Sequence, residues 1–197
     1  MLRKAIYPKV EVLIKPLVEF LNQKGFSPNQ LTFAGLALNF LAGYMYANGF
    51  LVAGAVILIL GSLGDLLDGP LANLSKKSSS FGAFLDSTID RYSDFFIFGG
   101  LALHFARTGQ VGWFLIVMGI ILGSFATSYT KARAENFIKH CHAGIFERAE
   151  RLIAIALGTL VPFLLPLILI VLFLGTNGTA IHRIFHTRNA LAKDSPK

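Results

Sequence analysis

One cysteine, Cys141, in 197 residues rules out a disulfide framework. It stands between His140 and His142 without the paired, closely spaced ligands of a zinc site, and reads as incidental. Charge is also scarce. Only 15% of residues are Asp, Glu, Lys or Arg, where a soluble domain carries about 25%. The shortage is uneven, because long apolar stretches alternate with short charged ones, which is the pattern of a polytopic membrane protein. No cleavable signal sequence is expected at the start: Lys9, Glu11, Lys15 and Glu19 interrupt any apolar core there.

What is present is apolar. Hydrophobic residues make up 54% of the chain, and the mean hydropathy is +0.61. Residues 8–24 place Val10, Leu13, Leu17, Phe20 and Leu21 on one helical face, which predicts an amphipathic helix lying in the membrane interface. Ser27-Pro28-Asn29 starts the next helix. Six apolar segments follow, near 30–47, 51–73, 81–106, 110–138, 148–162 and 164–188, with Pro162 and Pro166 at a tight hairpin between the last two. The fold expected is an all-α membrane protein of one domain over 1–197: an interfacial helix in 1–27, a six-helix transmembrane bundle in 28–190 and a tail in 191–197.

The net charge of +7 would suggest nucleic acid in a soluble protein. Here the basic residues cluster at the ends of apolar segments, so the bilayer is the partner and nucleic acid is not. With six spans, sixteen of the eighteen Lys and Arg fall on one side, Arg91 lies near it, and only Arg107 falls opposite. The positive-inside rule then places both termini on the cytoplasmic face of the cell membrane.

Five of the eleven acidic residues, Asp65, Asp68, Asp86, Asp90 and Asp94, fall within thirty positions at the basic-side ends of spans two and three. Each costs roughly 2.5–3.5 kcal/mol on insertion scales if placed at the span centre. Asp65 and Asp68 are i, i+3 and Asp86 and Asp90 are i, i+4, so each pair shares a helix face, and two spans joined by a short loop can aim all four at one point. Four anions there repel one another. A divalent cation relieves this, and oxygen-only ligation selects a hard ion such as Mg²⁺, Mn²⁺ or Ca²⁺. Gly69, Ala72 and Gly82 leave room beside the acids. Acids at span ends on the basic side favour an enzyme over a transporter, which places its acids near the midplane. Asp94 reads equally as a residue orienting Arg91 or as a polar contact. His182 and His186 are i, i+4, but their basic neighbours make headgroup contact the better reading. Trp113 fits an aromatic belt.

The segment from Asp65 to Asp90 resembles the CDP-alcohol phosphotransferase family, whose motif is D-x2-D-G-x2-A-R-x8-G-x3-D-x3-D. Every fixed position matches except Asn73, which stands where the motif has Arg and cannot supply its charge. The resemblance extends over essentially the whole chain and implies six transmembrane helices, a CDP-linked lipid as donor, CMP as leaving group and a homodimer. It implies that Asp65, Asp68, Asp86 and Asp90 hold Mg²⁺ or Mn²⁺, with Asp90 also the general base. Asn29, Thr32, Asp65, Asp68, Gly69, Ala72, Asn73 and Gly82 would line the nucleotide site. The strings Ser-Tyr-x-Lys-Ala-Arg-Ala-Glu at 128–135 and Glu-Arg-x-Glu-Arg at 147–151 resemble the inositol-phosphate branch. That implies a small phosphorylated alcohol as acceptor, inositol 1-phosphate, bound by Lys131, Arg133, Arg151 and Arg183, with Glu135, Glu147 and Glu150 orienting them. Three alternatives stay open: a glycerol 3-phosphate acceptor, free inositol or an amino alcohol as acceptor, and a non-catalytic or ion-binding homologue on account of Asn73.

Overall fold

The computed structural model describes residues 2–141 and 143–194, with side chains from Leu13 to Ala192 apart from His142. His142 and Lys197 lie outside the described residues, as do the side chains of Arg3, Lys4, Lys9, Val10, Glu11 and Lys193.

Seven helices and no strand make up the described chain: α1 (Leu2–Gln23), α2 (Pro28–Ala47), α3 (Leu51–Leu74), α4 (Ser80–Arg107), α5 (Val111–Ala134), α6 (Arg148–Leu160) and, after a 3₁₀ turn at Pro162–Leu164, α7 (Leu165–Asp194). Local chemistry sets these boundaries. Ser27 and Gln30 form a reciprocal capping box at the start of α2, with Pro28 in the first turn, where its missing N–H is no loss. Ser79 accepts from the Gly82 N–H at the start of α4. Gly49 and Gly109 take positive φ in the connections after α2 and α4, which turn the chain back within a few residues.

The end of the fourth expected segment is corrected here. The span placed at 110–138 ends at Ala134, and 135–147 is an irregular connection running to Glu147, the residue preceding α6. The tail expected from 191 is helical as far as Asp194.

α2 packs against both α3 and α4, α5 bridges α4 and α7, and α6 closes against α3 and α7. The core between them holds Ile97, Phe98, Leu101, Ile120, Ile155 and Leu169. At the α2–α4 crossing, a Cβ on Gly43 would meet the Phe96 carbonyl, and one on Gly100 would meet the Gly43 carbonyl. Glycine is required at both positions because the two backbones touch.

Three helical stretches, Leu51–Leu74, Val111–Ala134 and Pro162–Ala192, are long and apolar enough to cross a membrane. α4 has the length, but Asp86, Asp90, Arg91, Asp94 and Arg107 interrupt its hydropathy. α6 has 13 residues, a rise of about 20 Å. The outward surfaces are apolar too: Leu60, Leu103, Leu115, Leu122 and Leu174 are exposed, a surface suited to lipid. On α1, Val18 is buried against Leu67 and Leu71 of α3, while Leu13, Leu17 and Phe20 are exposed.

Candidate active site

α3 and α4 run antiparallel through the connection 75–79, and their facing ends carry the acids. Helical spacing does the local work: Asp65 and Asp68 turn to the same side of α3, and Asp86, Asp90 and Asp94 to the same side of α4. Asp68 is buried, and its Oδ2 accepts the Thr32 hydroxyl of α2 at 2.9 Å. Asp65 reaches α2 as well, since a Cβ on Gly35 would lie 3.2 Å from its Oδ1. Asp86 lies close enough to Asp65, Asp68 and Asp90 for its charge to be felt at each.

The residues expected to line a nucleotide site stand near the start of α2, the end of α3 and the start of α4. Asn29 faces α4, its Oδ1 lying 3.9 Å from where a Gly82 Cβ would be. Gly69 opens onto empty space, with Ala72 half-buried and Asn73 exposed along the last turn of α3. Lys76, with φ of 54°, then turns the chain out of that helix.

The carboxylates do not close on one another directly. Among the described residues no three acids or imidazoles stand grouped as a set of metal ligands. Arg148, the first residue of α6, enters between them. Its Nη1 lies 2.7 Å from Asp65 Oδ2 and 2.6 Å from Asp90 Oδ1, and its Nε lies 3.5 Å from Asp94 Oδ1. Asp90 Oδ2 also pairs with Arg91 at 3.4 Å. Asp94 is held in turn by Arg151, Nη2 to Oδ2 at 2.6 Å, with both side chains about 2% exposed. Sequence reasoning left Arg148 among the topology-setting cations and Asp94 undecided. The Glu-Arg-x-x-Arg spacing, which puts Arg148 and Arg151 on one helical face, is the signal that could have found them.

The donor set suits a divalent cation. All the candidate ligands are carboxylate oxygens, the hard donors that Mg²⁺ and Mn²⁺ take. Asp65, Asp90 and Asp94 pair with the guanidiniums of Arg91, Arg148 and Arg151, and with Asp68 and Asp86 added the formal charges of the cluster sum to −2.

The acceptor-side residues divide. Glu147 Oε1 lies between Lys131 Nζ at 3.2 Å and Arg183 Nη2 at 3.4 Å. Arg183 and Arg151 converge on Thr127, through its carbonyl and its hydroxyl respectively. Three of the four expected cations therefore meet, but not as an open basic mouth: Arg151 and Arg183 are buried and bonded internally, Arg183 also to the Ala143 carbonyl at 2.8 Å. Arg133 is not brought to this group. It stands apart, exposed, with its guanidinium 4.8 Å from the Phe137 ring centre. Two residues along a helix from Lys131 is about 200° of rotation, which turns it to the other face. Glu135 accepts the Cys141 N–H at 3.5 Å and so braces the connection.

An apolar groove of about 240 Å³ opens between α3 and α6, lined by Leu58, Ile59, Ser62, Leu152, Ile153 and Ala156 among others. Ser62 is one helical turn from Asp65, and Leu152 follows Arg151, so one part of the groove lining is near in sequence to the acid cluster.

With this geometry in place, comparison with known proteins gives a consistent result. The family model described as CDP-alcohol phosphatidyltransferase matches residues 26–187. An archaetidylinositol phosphate synthase of Pyrococcus horikoshii is 42% identical over 157 residues, covering 79% of this chain and 80% of that protein. A phosphatidylinositol phosphate synthase of Streptomyces avermitilis is 35% identical over 196 residues, covering 92% and 80%. The crystal structure of the Mycobacterium tuberculosis phosphatidylinositol phosphate synthase with CDP-DAG bound matches with a TM-score of 0.81 and 29% identity, over 87% of this chain and 92% of that one. The same enzyme in complex with manganese and citrate matches with a TM-score of 0.79 and 30% identity, over 87% of each chain.

Proposed function

The chain belongs to the CDP-alcohol phosphatidyltransferase family, and we propose that it moves a phosphatidyl-type group from a CDP-linked lipid to inositol 1-phosphate, releasing CMP in phospholipid biosynthesis. The observation that supports this is the acid cluster of α3 and α4, reached by Arg148 from α6, with the Lys131–Glu147–Arg183 cluster at the preceding residue and an apolar groove between α3 and α6. A lipid tail, a pyrophosphate and a phosphorylated alcohol call for three such environments.

Asp65, Asp68, Asp86 and Asp90 would hold Mg²⁺ or Mn²⁺, which when bound neutralises pyrophosphate charge. Phosphoryl-type transfer asks the protein for alignment and electrostatics rather than covalent help. The acceptor hydroxyl oxygen bonds to the lipid-side phosphorus, the bond from that phosphorus to the CMP oxygen breaks, and Asp90 takes the hydroxyl proton. Thr32 fixes the Asp68 carboxylate by hydrogen bond. Asn29, Gly69, Ala72, Asn73 and Gly82 frame the opening for the cytidine. Lys131 and Arg183 hold the acceptor phosphate in place of the Glu147 carboxylate, with Arg151 supporting them from beneath.

The membrane arrangement follows from charge and surface. Helices α2 to α7 supply six spans, with both termini and the site on the cytoplasmic face. α1 lies in the interface, with Leu13, Leu17 and Phe20 toward the acyl chains.

A glycerol 3-phosphate acceptor shares the same phosphate chemistry, so the test compares acceptors. Membranes or purified protein supplied with CDP-diacylglycerol and Mg²⁺ should release CMP with inositol 1-phosphate, and far less with glycerol 3-phosphate or unphosphorylated inositol. Preference for glycerol 3-phosphate would reassign the acceptor. No CMP with any of the three would leave a non-catalytic homologue.

A further inference from the structure

Arg148 stands at the acids, where the sequence pattern alone does not place it, and its contacts are specific. One nitrogen, Nη1, reaches Asp65 of α3 and Asp90 of α4 together, at 2.7 and 2.6 Å. It takes one oxygen from each: Oδ2 of Asp65 and Oδ1 of Asp90. The second oxygens point elsewhere, Asp65 Oδ1 toward Gly35 of α2 and Asp90 Oδ2 toward Arg91.

Two roles are compatible with a guanidinium between two carboxylates. It could be a displaceable counter-cation that leaves when a metal arrives, or a fixed brace that sets where the carboxylates stand. The surroundings decide for the brace. Arg148 starts α6 and its side chain is only 15% exposed. Its Nε lies against Asp94, whose other oxygen is bound by Arg151 in a pair with almost no solvent access. Arg151 is bonded further to Thr127 and to the Phe146 carbonyl. Moving Arg148 out would strip a partner from Asp94 and leave Asp65 and Asp90 uncompensated in a buried setting, which is costly.

We propose that Arg148 is a positioning residue: braced by the Asp94–Arg151 pair, it spans Asp65 and Asp90 and fixes the separation and orientation at which these carboxylates receive a divalent cation. This rests on the metal-site reading above. Outer partners of ligating groups typically change metal affinity by about 10- to 100-fold when removed. The brace also joins α6, which follows the acceptor-side connection, to the acids of α3 and α4 through two adjacent residues, Glu147 and Arg148.

The test is Mn²⁺ titration of the purified full-length chain in detergent, following free Mn²⁺ by electron paramagnetic resonance, with metal-free thermal unfolding in parallel. Wild type, D68N, R148Q and R148K are compared. Wild type should bind Mn²⁺, and D68N should lose most of that binding. R148Q should bind about 10- to 100-fold more weakly. R148K keeps the charge but as a single flexible point, and should stay weakened by several-fold. If R148Q does not fold, R148K alone decides, by the same criterion. Unchanged or tighter Mn²⁺ binding in R148Q would overturn the brace and make Arg148 a competing counter-cation. Wild-type affinity in R148K would show that charge alone matters, and would overturn it too. A wild-type chain that takes up no Mn²⁺ would remove the metal site itself, and the brace with it.

Discussion

Arg151 and Asp94 illustrate what a buried pair does at the scale of single residues. Each is the other's principal charge partner, 2.6 Å apart and away from water. Removing one partner strands a charge and costs about 3–5 kcal/mol, while replacing both by apolar groups of similar volume is far milder. R151M should therefore lower the thermal midpoint of the detergent-solubilised protein by roughly 10 °C, at about 2–4 °C per kcal/mol. The double variant D94L/R151M should recover most of the loss yet remain poorly active, because Arg148 has lost its support. Asn73 invites the opposite substitution. It is exposed on the last turn of α3 beside the open face of Gly69. N73R adds a permanent cation there, and one charge-assisted contact is worth about 1.5–3 kcal/mol. The expected result is a KM for the CDP-linked lipid lowered about tenfold with kcat little changed, read from initial rates of CMP release. The four carboxylates were legible because helical spacing is written in the sequence. Arg148 was not, because its partners Asp65 and Asp90 lie 83 and 58 positions earlier in the chain, and only the packing of α6 against α3 joins them. The acceptor arginines were legible as a group but not in their burial, since an Arg in a connection reads as solvated until its internal acceptors are known.

Elements show where pattern and packing agree and where they part. Five of the six expected segments fall within a few residues of α2, α3, α4, α6 and α7, because apolar length and capping chemistry define them locally. The other ran past its end: Asn136, Phe137 and Ile138 continue the polar–apolar mixture, yet the last turn of α5 closes at Ala134 and the chain turns to bury Cys141 and Ala143. The crossing of α2 and α4 carries a firm consequence. Gly43 and Gly100 admit no side chain without moving a backbone, and overpacking of this kind costs about 1–3 kcal/mol or more. G43L should lower the thermal midpoint and reduce transfer together, whereas a leucine at Gly99, where nothing lies within 4 Å, should leave both close to wild type. For α1, nitroxide labels at positions 13, 17 and 20 should be shielded from a water-soluble relaxation agent in bilayers and accessible to oxygen. Water-exposed labels at all three would place α1 off the membrane.

At the scale of the whole molecule, one end of the helical bundle holds every group that the proposed reaction needs. The acids stand on α3 and α4, the apolar groove opens between α3 and α6, and the expected acceptor cations Lys131, Arg151 and Arg183 come from α5, α6 and α7, so in the proposed reaction a lipid-anchored donor and a water-soluble acceptor would reach one site from different phases. The central claim is that these aspartates do the chemistry, with Asp90 distinct from the rest as the base. The most direct measurement pairs CMP release with Mn²⁺ binding on the same purified protein, wild type against D90N, using CDP-diacylglycerol and inositol 1-phosphate. A general base contributes about 10²–10⁴-fold. D90N should lose CMP release by at least that factor even at saturating Mn²⁺, while still binding Mn²⁺ through Asp65, Asp68 and Asp86 no more weakly than R148Q does. CMP release by D90N at a rate near wild type would contradict it.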